Sequence, residues 1–309
     1  MKVFVVGATG VVGRRAVDQL VTAGHAVTGV ARSAEKAASL TAAGAAAAQI
    51  DPFDRSALIA ATGGHHALVN LATHIPGGRD AARRSAWDEN NRIRREISAN
   101  LAAAATANGA ARLVQESIVL PYVDAGERWI DEHSPVNPAP ALESTVAAQQ
   151  VALAAESDIT APVVLRFGLF YAPDAAQIAE QAAITRRGMA PVLGGPRGYI
   201  STIDADDAAA AVVAALDVPA GIYNVVDNDP LTRAEYATAM AVALGVKRTS
   251  FAVARTGALA GDKRTGGMIR SLRVSNVKFK QAADWEPRWP TGAQGLATAV
   301  AQNVRIARA

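Results

Sequence analysis

Three glycines near the start of the chain have the spacing of a phosphate-binding turn. Gly7, Gly10 and Gly13 follow a short apolar run and open a stretch with helical periodicity. A tight turn needs the backbone freedom of Gly7, Gly10 lets the main chain approach a pyrophosphate, and Gly13 lets the helix pack close to the strand. Unpaired amides at a helix start also attract phosphate oxygens. Glycines that serve only a tight turn are the alternative. The residues predicted to hold the diphosphate of a dinucleotide are Gly7, Thr9, Gly10, Val11, Val12 and Gly13.

The end of the second predicted strand carries a cation where an acid is usual. A site for NAD places Asp or Glu there, to accept a hydrogen bond from the ribose 2′-hydroxyl. Here Arg32 and Ser33 end the strand, and Arg14 and Arg15 follow the glycine turn and are expected to assist Arg32. A guanidinium binds a 2′-phosphate in a fork, whereas a carboxylate would repel it. The sequence therefore favours NADP(H) over NAD(H), and the alternative is that Arg32 is an ordinary solvated residue.

Further residues for the same ligand follow the third and fourth predicted strands. Asp51 comes after the third strand, and Leu71, Ala72 and Thr73 follow the fourth. Ligands of open α/β sheets bind at these carboxyl ends. We expect Asp51 to accept a hydrogen bond from the adenine amino group, and the other three residues to line the adenosine ribose and the diphosphate. Alternatively, Asp51 caps the turn before Pro52.

Short apolar runs alternate with helical stretches over the first 170 residues. Segments with helical composition and apolar spacing separate the runs. Alternating strands and helices are typical of a parallel sheet covered on both faces. The sequence thus predicts an α/β, Rossmann-type doubly wound fold. We expect a dinucleotide-binding domain over residues 1–170 and a smaller α/β lobe over 171–309 that holds the substrate, with about 203–226 returning to the sheet. The predicted strands are residues 2–6, 26–31, 46–50, 67–70, 112–115 and 162–167.

Composition excludes several classes of function. The 309 residues include no Cys, so disulfide scaffolds, cysteine metal ligands and thiol nucleophiles are excluded. The net charge is +3, without a block of like charges, and this does not indicate a nucleic-acid partner. The 5 His residues show no metal-ligand spacing, so no metal site is predicted. No run approaches the roughly 18 apolar residues of a membrane span, and the expected location is the cytoplasm.

With these motifs, the chain resembles the short-chain dehydrogenase/reductase superfamily, in its extended, epimerase/dehydratase-like branch. The resemblance covers most of the chain and combines several separate matches in the same order. Beyond the glycine turn, the matching segments are 165–171 (LRFGLFY), 200–208 (ISTIDADDA), 221–225 (GIYNV), 275–278 (SNVK) and 285–287 (WEP). We further expect Phe167 and Gly168 to contact the cofactor. The predicted substrate contacts are Ile75, Tyr122, Phe170, Tyr171 and Tyr199.

The chain departs from this superfamily at its usual proton relay. Such enzymes use a Tyr-x-x-x-Lys pair on the helix after the fifth strand, where the tyrosine transfers the proton and the lysine lowers its pKa. By spacing, Ala141 and Thr145 occupy these positions, and neither can titrate. Ser117, Tyr122 and His74 are weak candidates for a replacement. Tyr122 is alternatively a packing residue, and His74 a loop residue.

Two functions remain open on the sequence. The first is an NADP(H)-dependent oxidoreductase or epimerase-like enzyme that acts on a small carbonyl, hydroxyl or enone substrate. The second is a non-catalytic sensor that binds NADP(H) and reports its redox state to a partner, and a scaffold without a dinucleotide is a third class. Either a monomer or a homodimer is compatible with the alanine-rich helices around residues 81–108 and 142–155.

Overall fold

The structure is a computed structural model that describes residues 1–77, 83–251, 267–289 and 291–306. The strands are β1 (Lys2–Val6), β2 (Ala26–Val30), β3 (Ala46–Ala48), β4 (Ala67–Asn70), β5 (Arg112–Ile118), β6 (Trp129–Ile130), β7 (Ala161–Phe167), β8 (Leu169–Tyr171), β9 (Tyr199–Ile200), β10 (Thr202–Asp204), β11 (Gly221–Val225), β12 (Leu231–Thr232) and β13 (Arg273–Val274). The helices are α1 (Val11–Thr22), α2 (Ala34–Ala42), α3 (Arg55–Ala61), α4 (Asp88–Arg92), α5 (Ser98–Asn108), α6 (Glu143–Leu153), α7 (Ala176–Arg186), α8 (Ala205–Ala214), α9 (Arg233–Ala243), α10 (Val277–Ala282) and α11 (Gly292–Ile306).

The main sheet has seven strands in the order β3-β2-β1-β4-β5-β7-β11, and every neighbouring pair is parallel. This confirms the predicted doubly wound α/β fold. The sheet reverses its winding between β1 and β4, so the carboxyl ends of these two strands flank a crevice where ligands bind in such folds. The glycine turn after β1 and the segment after β4 both lie at that crevice.

Both faces of the sheet are covered. Along β1, Val3 and Val5 belong to one apolar cluster, whereas Phe4 and Val6 belong to the cluster on the opposite face. Adjacent strand residues point to opposite faces, so a strand buried on both sides is apolar throughout. This explains the continuous apolar run that precedes Gly7.

Several elements differ from their predicted bounds. The fifth strand was predicted over 112–115, but β5 continues to Ile118 because Glu116, Ser117 and Ile118 still pair with β7. The third strand ends at Ala48, two residues before the predicted end. A π-helical turn, Ile93–Ile97, joins α4 to α5 within the predicted long helix. Residues 78–82 and 252–266, on which parts of the predictions fall, lie outside the described residues.

The second half of the chain packs on the first. Helix α8 lies against α1, β11 forms the edge of the main sheet beside β7, and α11 packs on α7 and α9. Three short strand pairs, β8–β10, β9–β12 and β6–β13, join the remaining segments. None of the helices in the described parts of the chain is long and apolar enough to cross a membrane.

Candidate functional site

The glycine turn leaves no room for side chains on the sheet side and is open on the other. Gly7 has a φ of +81°, and a Cβ there would lie 2.5 Å from the carbonyl carbon of Leu71. A Cβ on Gly13 would overlap the carbonyl oxygen of Gly7. Gly10 is exposed, and its amide donates to the Gly7 oxygen at 3.0 Å. The geometry therefore fits a diphosphate that approaches the main chain at Gly10.

Helix α1 starts directly behind this turn. The amide of Arg14 is the first to close a helical bond, to the carbonyl oxygen of Gly10 at 3.1 Å. The amides of Val11, Val12 and Gly13 precede it, at the positive end of the helix dipole. These donors suit phosphate oxygens.

A free guanidinium lies at the end of β2. Arg32 and Ser33 are exposed, and Ser33 caps α2 by accepting from the Lys36 amide at 3.3 Å. No carboxylate in the described residues pairs with Arg32. Arg32 can therefore turn toward a phosphate on the adenosine ribose.

Arg14 and Arg15 do not stand ready to bind a 2′-phosphate beside Arg32, as the sequence had suggested. Both guanidinium groups bind the carboxylate of Asp174, and Arg15 also binds Asp206 at 2.7 Å. These acids lie on segments that pack against the first turn of α1. Sequence spacing could not show that remote carboxylates already pair with both cations.

The residues after β3 and β4 form the adjacent wall. Asp51 is exposed, and its carboxylate accepts from the Phe53 amide at 3.0 Å, as the turn-capping alternative requires. Leu71 is buried and Thr73 is exposed. The Ala72 amide donates to Oδ1 of Asn70 at 3.2 Å. The side chain of Asn70, which sequence reasoning left without a role, thus shapes the wall.

Two hydrogen-bonding residues lie on α6, Thr145 at the second of the two positions expected for the proton relay and Gln149 one turn further on. Thr145 is buried, and its hydroxyl accepts a short hydrogen bond from Nη1 of Arg94. One turn later, Nε2 of Gln149 donates to Oγ of Ser117 at 2.5 Å. Oε1 of Gln149 accepts from Nη2 of Arg166 at 2.8 Å. Neither Thr145 nor Gln149 exchanges a proton near neutral pH.

A buried ion pair lies beside Thr145. Nη2 of Arg94 donates to Oε1 of Glu116 at 3.0 Å, and both side chains are more than nine-tenths buried. Burial raises the pKa of Glu116, and the Arg94 charge opposes that shift. Oε2 of Glu116 and Nε of Arg94 have no partner in the described part of the chain. Arg94 was not identified from the sequence, because nothing local distinguishes a buried arginine from a surface one.

Two of the three candidates for proton transfer, Tyr122 and Ser117, are buried with their hydroxyl oxygens hydrogen-bonded inside the protein, and the third, His74, is exposed. Tyr122 is fully buried, its hydroxyl donates to Oδ1 of Asn224 at 2.8 Å, and it accepts from Arg166 at 2.7 Å. Burial also raises the pKa of Tyr122. Ser117 is fully buried on Gln149, and His74 is exposed in a loop. This favours the packing alternative for Tyr122 and the loop alternative for His74.

The remaining residues that were predicted to contact the cofactor or the substrate are partly buried and partly accessible. Tyr171 is fully buried, and its hydroxyl lies 3.4 Å from Oδ1 of Asp227. Tyr171 and Tyr122 were both predicted to contact the substrate, but both are fully buried in this structure. Phe167 is buried, and a Cβ on Gly168 would lie 2.8 Å from the Ser201 oxygen. These two residues therefore serve packing in this structure. The accessible predicted contacts are Phe170 and Tyr199, which are half-buried, and Ile75, which is 52% exposed.

The family of the chain follows from a comparison with known proteins. A model of the "NAD dependent epimerase/dehydratase family" matches residues 3–225, which is more than half of the chain. The chain belongs to this family. Its matched region includes the glycine turn, Arg32 and all of the seven-stranded sheet except Lys2. Family membership supports a pyridine-nucleotide cofactor and an oxidoreductase or epimerase-like protein.

Individual relatives agree with this assignment. The chain is 31% identical over 307 residues to a "3-diazoavenalumate denitrifying reductase" of a Streptomyces species, covering 96% of this chain and 99% of the relative. Among solved structures, MoeE5 in complex with UDP-glucose and NAD has a TM-score of 0.80 at 21% identity, over 99% and 100% of the two chains. The Thermus thermophilus UDP-glucose 4-epimerase in complex with NAD has a TM-score of 0.78 at 21% identity, over 98% and 99%. The two solved structures share the family fold with this chain.

Proposed function

We propose that this chain is an NADP(H)-dependent reductase that delivers hydride to a small electrophilic substrate and supplies no proton from a Tyr–Lys pair. The observation that carries the proposal is the pair Thr145 and Gln149 on α6. Thr145 stands at one of the two positions expected for the relay, Gln149 lies one turn later, and both side chains are bound to buried arginines. Neither side chain titrates near neutral pH, so these two residues can bind and orient a substrate but cannot supply a proton.

The choice of NADP(H) is supported by Arg32. Its guanidinium is exposed at the carboxyl end of β2 and has no acidic partner in the described residues. A 2′-phosphate would gain charge-assisted, forked hydrogen bonds there. When bound at the glycine turn, the reduced dinucleotide supplies a hydride.

The substrate class is suggested by the Streptomyces relative, whose name describes the reductive loss of nitrogen from a diazo compound. Replacing an aromatic diazonium group by hydrogen needs a hydride and no proton. The carbon–nitrogen bond breaks, N₂ leaves with its electron pair, and the hydride forms the new carbon–hydrogen bond while the dinucleotide is oxidised. Reducing a carbonyl group, in contrast, needs a proton donor for the oxygen. The lack of a relay in this chain therefore fits a diazo substrate better than a carbonyl substrate.

Turnover with two kinds of substrate tests this proposal. Oxidation of NADPH is followed at 340 nm with 4-diazobenzoate and with a panel of aldehydes, ketones and enones. We expect turnover of the diazo compound above its background rate, with kcat/KM nearly flat between pH 6 and 9. Turnover of the carbonyl panel alone, with a bell-shaped pH profile, would contradict the proposal.

The non-catalytic sensor is the second candidate function. It is favoured by the burial of Ser117 and Tyr122, whose hydroxyl oxygens are hydrogen-bonded within the protein. Both functions predict NADPH binding, which at about 100 times the dissociation constant stabilises the fold by about 2.7 kcal/mol. Binding without turnover of either substrate class would favour the sensor. The lobe boundary near residue 170, a cytoplasmic location and a monomer or homodimer stay predictions.

A further inference from the structure

Three neighbouring arginines in the second half of the chain share a lack of any carboxylate partner among the described residues. They are Arg233 at the start of α9, Arg270 on the segment that leads into β13, and Arg273, the first residue of β13. Contacts of the arginine side chains with a carbonyl oxygen and with an aromatic ring connect these segments. Nη2 of Arg233 donates to the carbonyl oxygen of Arg270 at 2.7 Å, and the guanidinium of Arg273 lies 5.0 Å from the ring of Tyr199, whose strand pairs with β12. We call Arg233, Arg270 and Arg273 the arginine cluster.

Arg233 is the buried member of the arginine cluster. Its side chain is 1% exposed and lies beneath Gly194 and Gly198. Nη2 is occupied by the carbonyl oxygens of Met268 and Arg270, but Nε and Nη1 have no partner in the described residues. Burial lowers the pKa of Arg233. A buried cation with unused donors is costly unless an anion completes its environment.

Arg270 connects the cluster with the carboxyl end of β5. Its Nη1 donates to the carbonyl oxygen of Tyr122 at 2.9 Å, within the segment that leaves β5 beyond Ser117. The nearby acid is Asp124, whose carboxylate already accepts from the amides of Gly126 and Ser271 at 3.0 Å. Arg270 is half-buried, so its remaining donors stay within reach of a ligand.

Aromatic and apolar side chains surround these cations. The guanidinium of Arg273 lies 4.3 Å from the ring of Trp129 and 5.0 Å from that of Tyr199. Leu193, next to Gly194, is 43% exposed, and Met268 is 48% exposed. A planar, apolar ligand body fits such a surface, with an anion directed at the guanidinium groups.

We infer that Arg233 and Arg270 bind the carboxylate of the substrate, and that the substrate is therefore an aromatic or conjugated carboxylic acid. This inference rests on the proposed reductase function and adds the group by which the substrate is held. The unpartnered Nε and Nη1 of Arg233, together with the half-buried guanidinium of Arg270, suit the two oxygens of a carboxylate. Trp129 also lines an open pocket of about 690 Å³, whose charged lining residues are Asp131, Glu132 and Lys278, so its charge does not favour an anion.

Calorimetry with carboxylates of graded length tests the inference on the unaltered protein. The probes are benzoate, cinnamate and 5-phenylpenta-2,4-dienoate, each compared with its carboxamide, with and without saturating NADPH. A hydrogen bond to a charged group contributes about 1.5–3 kcal/mol. We therefore expect at least one carboxylate to bind about 10- to 100-fold more tightly than its amide. Equal affinity of acid and amide, or no binding of any probe, would overturn the inference.

Variants then locate the binding site. Arg270→Met should weaken the carboxylate about 10- to 100-fold and leave the amide unchanged, and Arg270→Lys should retain part of the affinity. Arg186→Met, which alters an exposed arginine at the end of α7, is the matched control. If UDP and inorganic phosphate bind through Arg270 and the carboxylates do not, the inference is wrong and the arginine cluster binds a phosphate group. Carboxylate binding without hydride transfer would contradict the proposed function and leave this inference standing.

Discussion

Replacing Gly10 by alanine separates ligand binding from folding at the glycine turn. Gly10 has φ −77° and ψ −179°, an extended conformation that any residue adopts. An added Cβ would lie 3.3 Å from the carbonyl oxygen of Gly7, which is tight but not an overlap. Removing a glycine from a compatible position also reduces the entropy of the unfolded chain. The free energy of unfolding should therefore change by less than about 1 kcal/mol.

The effect on NADPH affinity should be much larger. The new methyl group stands on the exposed side of the turn, between the approaching diphosphate and the first amides of α1. Losing one hydrogen bond to a charged group costs about 1.5–3 kcal/mol. At about 1.4 kcal/mol for each factor of ten, NADPH should bind about 10- to 100-fold more weakly.

Titration calorimetry and urea unfolding of the same samples measure the two effects. Gly63→Ala is the matched control, because a Cβ there would lie 3.4 Å from the Ala60 oxygen, far from the turn in sequence. Its NADPH affinity should equal that of the unaltered protein. Unchanged affinity in Gly10→Ala, at unchanged stability, would refute the placement of the diphosphate.

Three further perturbations test other parts of the structure. Arg32→Glu should weaken NADPH at least 10-fold more than NADH in calorimetry, because a carboxylate repels the 2′-phosphate, and equal losses would contradict the NADP(H) preference. Arg94→Met leaves Glu116 buried without a counter-charge and should cost about 3–5 kcal/mol in urea unfolding, whereas Arg94→Met/Glu116→Leu should recover most of it. A double variant no better than the single one would argue against that pair. Burial raises the pKa of Asp227 to about 7, so the folded protein binds this proton more tightly than the unfolded chain. The contribution of Asp227 to the free energy of unfolding should then fall as the pH rises from about 4 through about 7. Asp227→Asn should remove that part of the slope, and identical slopes would refute the assignment.

The fold was predictable because its signals are local. Apolar runs before the glycine turn and at 67–70, with helical stretches between them, specify a parallel sheet, and the crevice beside the turn follows from that topology. The need for glycine at positions 7 and 13 could also be predicted from the sequence, because a close backbone approach excludes a side chain in any context. The structure adds the distances at which an added Cβ would meet the backbone.

The pairing of remote charges could not be predicted in the same way. Glu116 and Ser117 look like the end of a strand, because a polar side chain gives no sign that Arg94 or Gln149 will pair with it inside the protein. Arg14 and Arg15 resemble ligands for a phosphate until Asp174 is found beside them. Such contacts join residues more than 20 positions apart, and a single sequence carries no record of them.

The central claim is that this site delivers hydride and no proton, and isotope transfer tests it most directly. NADPH carrying deuterium at the transferred position of C4 is incubated with the protein and 4-diazobenzoate in ordinary water, and the benzoate formed is analysed by mass spectrometry. We predict one deuterium on the ring carbon that lost nitrogen, in an amount equal to the NADPH consumed. Benzoate formed with NADPH consumption but with solvent hydrogen at that carbon would contradict the account.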